Sequence, residues 1–192
     1  MALEHALLVS LTERAGSGYE LAARFDKSIG YFWSATHQQI YRVLRRMEES
    51  GWLHSESVAQ AGRPDKKVYS VSEAGRAELA RWIGAPTDIE RQRNELFVKV
   101  RAASYGDLDT LRAEVARHRA EHTHQLELYR LIEKRDFPAP DQLTGTGLHQ
   151  YLVLRAGIRL ESGSIEWCDE VLQALQPRPN TPPPHPTAPG AD

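Results

Sequence analysis

The segment 36–51, THQQIYRVLRRMEESG, constrains the fold more than any other, because it carries its own start, its own apolar face and its own stop. Thr36 and Gln39 have capping-box spacing, in which a hydroxyl and an amide satisfy backbone N–H groups left open where a helix begins. Ile40, Val43, Leu44 and Met47 recur at i, i+3, i+4 and i+7, one apolar stripe that needs a partner surface. Gly51 supplies a natural end. Without a linker the chain runs into two strand-like stretches near 52–58 and 66–71, separated by a turn that contains Gly62 and Pro64.

Helical periodicity near 2–13 and 17–27 precedes this pair, and a further helix near 72–83 follows it. Three helices, a hairpin and a helix form the element order of a winged helix-turn-helix. Gly84 and Pro86 then interrupt the pattern, and beyond them the periodicity is helical near 88–103, 107–135 and 146–175. The expected fold class is mainly α with a small β-hairpin wing. It comprises a winged helix-turn-helix domain over 1–84 and a helical, coiled-coil-like dimerisation domain over 85–176. Seven of the sixteen residues in 177–192 are proline, which predicts a disordered, solvated tail.

Composition narrows the function class. Cys168 is the single cysteine, so neither an intramolecular disulfide nor a cysteine-based zinc site can form, and a reducing cytoplasm suits the chain. No apolar run approaches the roughly 18 residues of a membrane-spanning helix. The net charge of −2 divides into +1 for residues 1–83 and −3 for 84–176, so bulk charge does not announce a nucleic-acid partner. What matters is where the charges sit.

On the helix beginning at Thr36, at about 100° per residue, Gln38, Arg42 and Arg45 point opposite the apolar stripe, while Gln39, Tyr41 and Arg46 flank it. No acidic residue occurs from Thr36 to Met47. Guanidinium can pair with the O6/N7 edge of guanine and amide with the N6/N7 edge of adenine, the chemistry by which a helix reads the major groove. The turn that follows carries Arg63, Lys66 and Lys67 between two strands, where a wing would lay cations on phosphates. A merely solvated helix face and a basic turn have the same composition, so a winged-helix protein-interaction module without DNA binding is the competing reading.

IYRVLRRMEESGWL and GRPDKKVYSVSEAGRAEL, with GSGYELAARFDKSIGYFW upstream, strongly resemble the PadR family of transcriptional regulators over residues 1–83. YLVLRAGIRLESGSIEWC is similar to the C-terminal dimerisation region of the same family. The resemblance implies a cytoplasmic, homodimeric repressor, not an enzyme, that binds an inverted-repeat operator and is released by a small effector, in some members a phenolic acid. It further implies that Tyr41, Arg42, Arg45, Lys66 and Tyr69 lie at or support the DNA surface, with Gly18 and Tyr19 contacting the backbone. Many relatives have proline just after the recognition-helix tyrosine. Arg42 stands there in this chain, so the bases read should differ.

In the last helix Tyr151, Leu154, Ile158, Glu161, Ile165, Cys168, Leu172 and Leu175 advance by alternating steps of three and four, the seam of a coiled coil that predicts the dimer contact. His118 and His122 have metal-ligand spacing, yet both continue an apolar stripe through Leu111 and Val115, so a packed pair competes with a metal-responsive sensor; no bound metal or other cofactor is expected. The sequence contains no nucleophile elbow and no phosphate-cradling glycine loop. The effector implied by the resemblance directs attention to Trp82, Phe97 and Trp167, and to Tyr31, Phe32 and Trp33, although large aromatics at helical spacing commonly belong to a core.

Overall fold

The computed structural model describes residues 2–26, 35–60, 63–88 and 94–176. The proline-rich stretch 177–192, Tyr31, Phe32 and Trp33 lie outside the described residues. The chain forms two compact units, Met1–Glu90 and Arg91–Asp192.

In the first unit the order is α1 (Ala2–Glu13), β1 (Gly16–Ser17), α2 (Gly18–Asp26), α3 (His37–Glu49), β2 (Leu53–Gln60), β3 (Arg63–Val71) and α4 (Glu73–Ile83). The stripe read from the sequence is the buried face of α3. Ile40, Leu44 and Met47 join Leu7 and Leu8 of α1 and Leu21 of α2, all at most 1% exposed, with Leu53, Tyr69 and Val71 closing the core from the hairpin. Each fully buried side chain of this size contributes about 1.5–3 kcal/mol. Thr36 and Gln39 form both halves of the expected capping box.

Two features were missed. Strand β1 pairs antiparallel with β3 (Gly16↔Tyr69, Ser17↔Val68), making a three-stranded sheet of order β1-β3-β2. Two residues are too few to show an alternation. Ser17 and Glu20 also form a capping box at the start of α2: Ser17 N–H donates to the Glu20 carboxylate at 2.9 Å and Glu20 N–H donates to Ser17 Oγ at 3.3 Å. The Ser-x-x-Glu spacing of 17–20 is a capping-box signal in its own right.

The second unit consists of α5 (Glu95–Arg101), α6 (Leu108–Asp136) and α7 (Gly145–Ala174), with short 3-10 turns at Ala103–Tyr105 and Pro140–Gln142. Within the stretch expected to be helical over 88–103, α5 covers Glu95–Arg101 and is capped by Asn94, and 89–93 lie outside the described residues. Helices α6 and α7 run antiparallel, as the contacts Arg119–Asp169, His122–Glu161, Arg155–Glu133 and Tyr151–Phe137 require.

The stripe expected to face a second copy packs on α6 of the same chain. Leu154, Ile158 and Cys168 are buried, Tyr151 donates to Glu133, and Leu172 and Leu175 pack on a cluster of Leu96, Val115, Cys168 and Val171; Ile165 is half-buried. A heptad pattern specifies a helical partner without naming it, and α6, joined through a short connection, is always at hand. The opposite face of α7 carries a second row one helical step apart, Leu152, Ala156, Leu160 and Gly163, all exposed, Leu160 at 70%. Burial also pushes the Cys168 thiol up, away from the reactive thiolate. Among the described residues no helix is long and apolar enough to cross a membrane.

Candidate nucleic-acid interface

The outer face of α3 exposes Gln38, Gln39, Tyr41, Arg42, Arg45 and Arg46. Thr36, Gln39 and Arg46, all three expected among the DNA contacts, are occupied within the fold. Gln39 Oε1 accepts from Thr36 N–H at 2.8 Å, so the pair serves the helix start. Arg46 donates to the nearly buried carboxylate of Glu4 on α1, tying the end of α3 to the body of the unit. The side chains of Gln38, Arg42 and Arg45 make no hydrogen bond or ion pair among the described residues. Two guanidiniums and an amide therefore stand together on the first turns of one helix, solvated and ready for other acceptors.

Tyr41 is 46% exposed, and its position depends on Gly18 at the start of α2. A Cβ on Gly18 would lie 2.3 Å from Cε1 of the Tyr41 ring. Gly18 is thus buried beneath the tyrosine and acts by letting α2 approach α3, while its neighbour Tyr19 is 70% exposed. Gly18→Ala is expected to swing the Tyr41 ring outward, since an exposed side chain yields before packed backbone does. Affinity for cognate duplex should fall by roughly tenfold, about one favourable contact. The melting temperature should change little, and parallel DNA titrations and thermal melts check both.

The wing departs most from expectation. Lys66 Nζ donates to Glu20 of α2 at 2.6 Å, and Lys67 Nζ donates to Glu48 of α3 at 2.7 Å. The hydrogen bond from Lys66 is the main reason the Glu20 carboxyl sits at about 2, assisted by Ser17 N–H. The bond from Lys67 likewise holds Glu48 below the usual carboxylate range, with Ser55 adding a second donor. Both carboxylates are charged at any pH near neutrality. Tyr69, expected at the DNA surface, is only 8% exposed and belongs to the core, its ring lying 5.4 Å from Lys67 Nζ. The side chain of Arg63 lies outside the described residues.

In the second unit His122 Nδ1 lies 2.6 Å from Glu161, filling the one polar gap in the apolar stripe of α7, while His118 stands 3.3 Å from Glu114. Among the described residues no group of three or more His, Cys, Asp or Glu is placed to hold a metal ion. Of the aromatic residues considered for an effector, Trp82, Phe97 and Trp167 are engaged within their own units. Trp82 stacks on His5 at 4.6 Å, and Phe97 meets the edge of Trp167 at 4.7 Å.

The model of the transcriptional regulator PadR-like family matches residues 7–81, and that of the virulence activator alpha C-terminal region matches residues 92–176. A probable transcriptional regulator of Mycobacterium tuberculosis is 56% identical over 92% of this chain and 98% of that protein. The virulence activator AphA of Vibrio cholerae is similar in structure, with a TM-score of 0.74 and 32% identity over 90% of this chain and 97% of that one. PadR of Bacillus subtilis in complex with operator DNA shares the fold, with a TM-score of 0.81 and 22% identity over 92% of this chain and 100% of that one. The same protein has been solved with p-coumaric acid.

Proposed function

Since this chain belongs to the PadR-like family of transcriptional regulators, we propose that it is a cytoplasmic homodimeric repressor that binds an inverted-repeat operator and is released by a small aromatic acid. One observation carries the DNA-reading part: Gln38, Arg42 and Arg45 form an outward face on α3 with no partner among the described residues, on a winged-helix fold shared with an operator-bound PadR. Donors that can fork onto guanine and adenine edges are then available without first breaking a bond inside the protein. Lys66 and Lys67 flank this face from β3 and supply phosphate contacts once they leave their carboxylates.

Dimerisation is supported by the second row on α7, where Leu152, Ala156 and Leu160 expose apolar surface and Gly163 has open space around it. Two symmetry-related recognition helices are what an inverted repeat requires, with half-sites about 34 Å apart. The effector reading is supported by the complex of Bacillus subtilis PadR with p-coumaric acid, and an acid seated at Trp82, Phe97 or Trp167 would have to displace the ring contacts these residues already make. The test is selection of bound sites from random duplex DNA. Recovery of two inverted half-sites about one helical turn apart is the expected result, whereas a monomeric protein that enriches no site at low ionic strength would sink the proposal.

A further inference from the structure

We propose that Glu20 and Glu48 act as built-in counterions of the wing, holding Lys66 and Lys67 away from random duplex and thereby setting how strongly operator is preferred over other DNA. This rests on the DNA-binding reading above and adds two acidic residues that touch neither base nor phosphate. Each lysine of the pair is closed on a carboxylate from a different helix, Lys66 on α2 at 2.6 Å and Lys67 on α3 at 2.7 Å. The carboxylates are themselves anchored: Glu20 by Ser17 in the capping box, Glu48 by Ser55 on β2. They are therefore fixed acceptors at the wing, and both pairs remain partly open to solvent, where a phosphate can compete. Arg42 and Arg45 carry no such brake among the described residues.

Counting ions turns the geometry into a prediction. A free lysine that reaches a phosphate releases about 0.9 of a condensed cation from B-DNA. A lysine that must first leave Glu20 or Glu48 releases that cation too, but it gives up its ion pair and leaves a bare carboxylate beside the duplex. Wing contacts therefore cost more than those of a free lysine, and they form readily only where base contacts already hold the helix in register. On random duplex nothing fixes the register, and the pairs stay closed. Discrimination gains because the cations common to every sequence are muted while those that read bases are not.

The experiment compares wild type with Glu20→Gln/Glu48→Gln across a salt series, using anisotropy on a selected operator and on a scrambled duplex of equal length. Gln keeps the capping box and the bond to Ser55 while removing charge. The double variant should bind scrambled duplex roughly tenfold more tightly and operator by about threefold or less, with a log–log salt slope on the scrambled duplex steeper by about one to two per protomer. Adding Lys66→Gln and Lys67→Gln should return the slope to its wild-type value, and a slope that stays steep overturns the proposal. An unchanged slope and unchanged preference in the Glu variant, with wild type binding normally, removes this proposal alone. Failure of wild type to bind either duplex at low salt removes it together with the regulatory reading.

Discussion

Replacing Arg42 and Arg45 together with alanine is expected to abolish operator preference while leaving the fold intact. A well-made bidentate contact to a base contributes about 1–3 kcal/mol of discrimination, so losing two lowers affinity by at least about thirtyfold for each half-site. Both side chains are exposed and have no partner among the described residues, and alanine is a better helix former than arginine. The melting temperature should accordingly stay within the scatter of an ordinary surface substitution, about 0.5 kcal/mol. Arg46→Ala supplies the contrast on the same helix. Its guanidinium bonds to Glu4, so its removal leaves a nearly buried carboxylate unpaired and should lower stability more than it lowers DNA affinity. Equal losses of affinity from Arg42, Arg45 and Arg46 would mean that α3 contributes only diffuse positive charge and reads no bases. Arg42→Lys should rescue little, because the ammonium keeps the charge and loses the fork.

The pattern of what the sequence disclosed follows from the range of the interactions involved. The buried face of α3 and its capping box are set by residues within four positions of one another, and both were legible. Glu20–Lys66 spans 46 positions and Arg46–Glu4 spans 42, so their closure depends on how helices and hairpin meet in three dimensions. No local count of charge could show that the wing cations are paired. The stripe on α7 was read correctly as apolar, yet its spacing is indifferent to whether the partner helix is α6 or a second copy, and proximity decided for α6. Tyr69 illustrates the same point at one residue: the strand was anticipated, but which side of the sheet faces the core is a matter of register against β1 and β2.

Gly75→Ala is expected to be the most damaging single-methyl change in the first unit. An added Cβ would lie 2.2 Å from the carbonyl oxygen of Trp52 and 3.0 Å from Cγ1 of Val71. Unlike the tyrosine ring above Gly18, that carbonyl cannot swing aside. It accepts from Ser72 N–H at 3.0 Å, while Ser72 Oγ donates to the Gly51 carbonyl at 2.6 Å and accepts from Gly75 N–H at 3.0 Å. The methyl therefore has to lift the start of α4 from the junction between α3 and β2, breaking a buried cap on the way. Overpacking of this kind costs about 1–3 kcal/mol, and loss of the cap adds about 1, against a gain of about 1 from helix propensity. A net loss of about 2 kcal/mol corresponds to roughly 10 °C in melting temperature for a unit of this size. Thermal unfolding of the full chain measures it, with Ser72→Ala as the reference for the cap alone. The consequence reaches the DNA face, because β2 leaves for the wing from this junction and β3 returns to it, with Leu53 paired to Val71. Operator affinity should fall in step with the melting temperature, and should recover at a temperature low enough to restore folding; an unaltered melt would show that α4 can slide along its seat without loss.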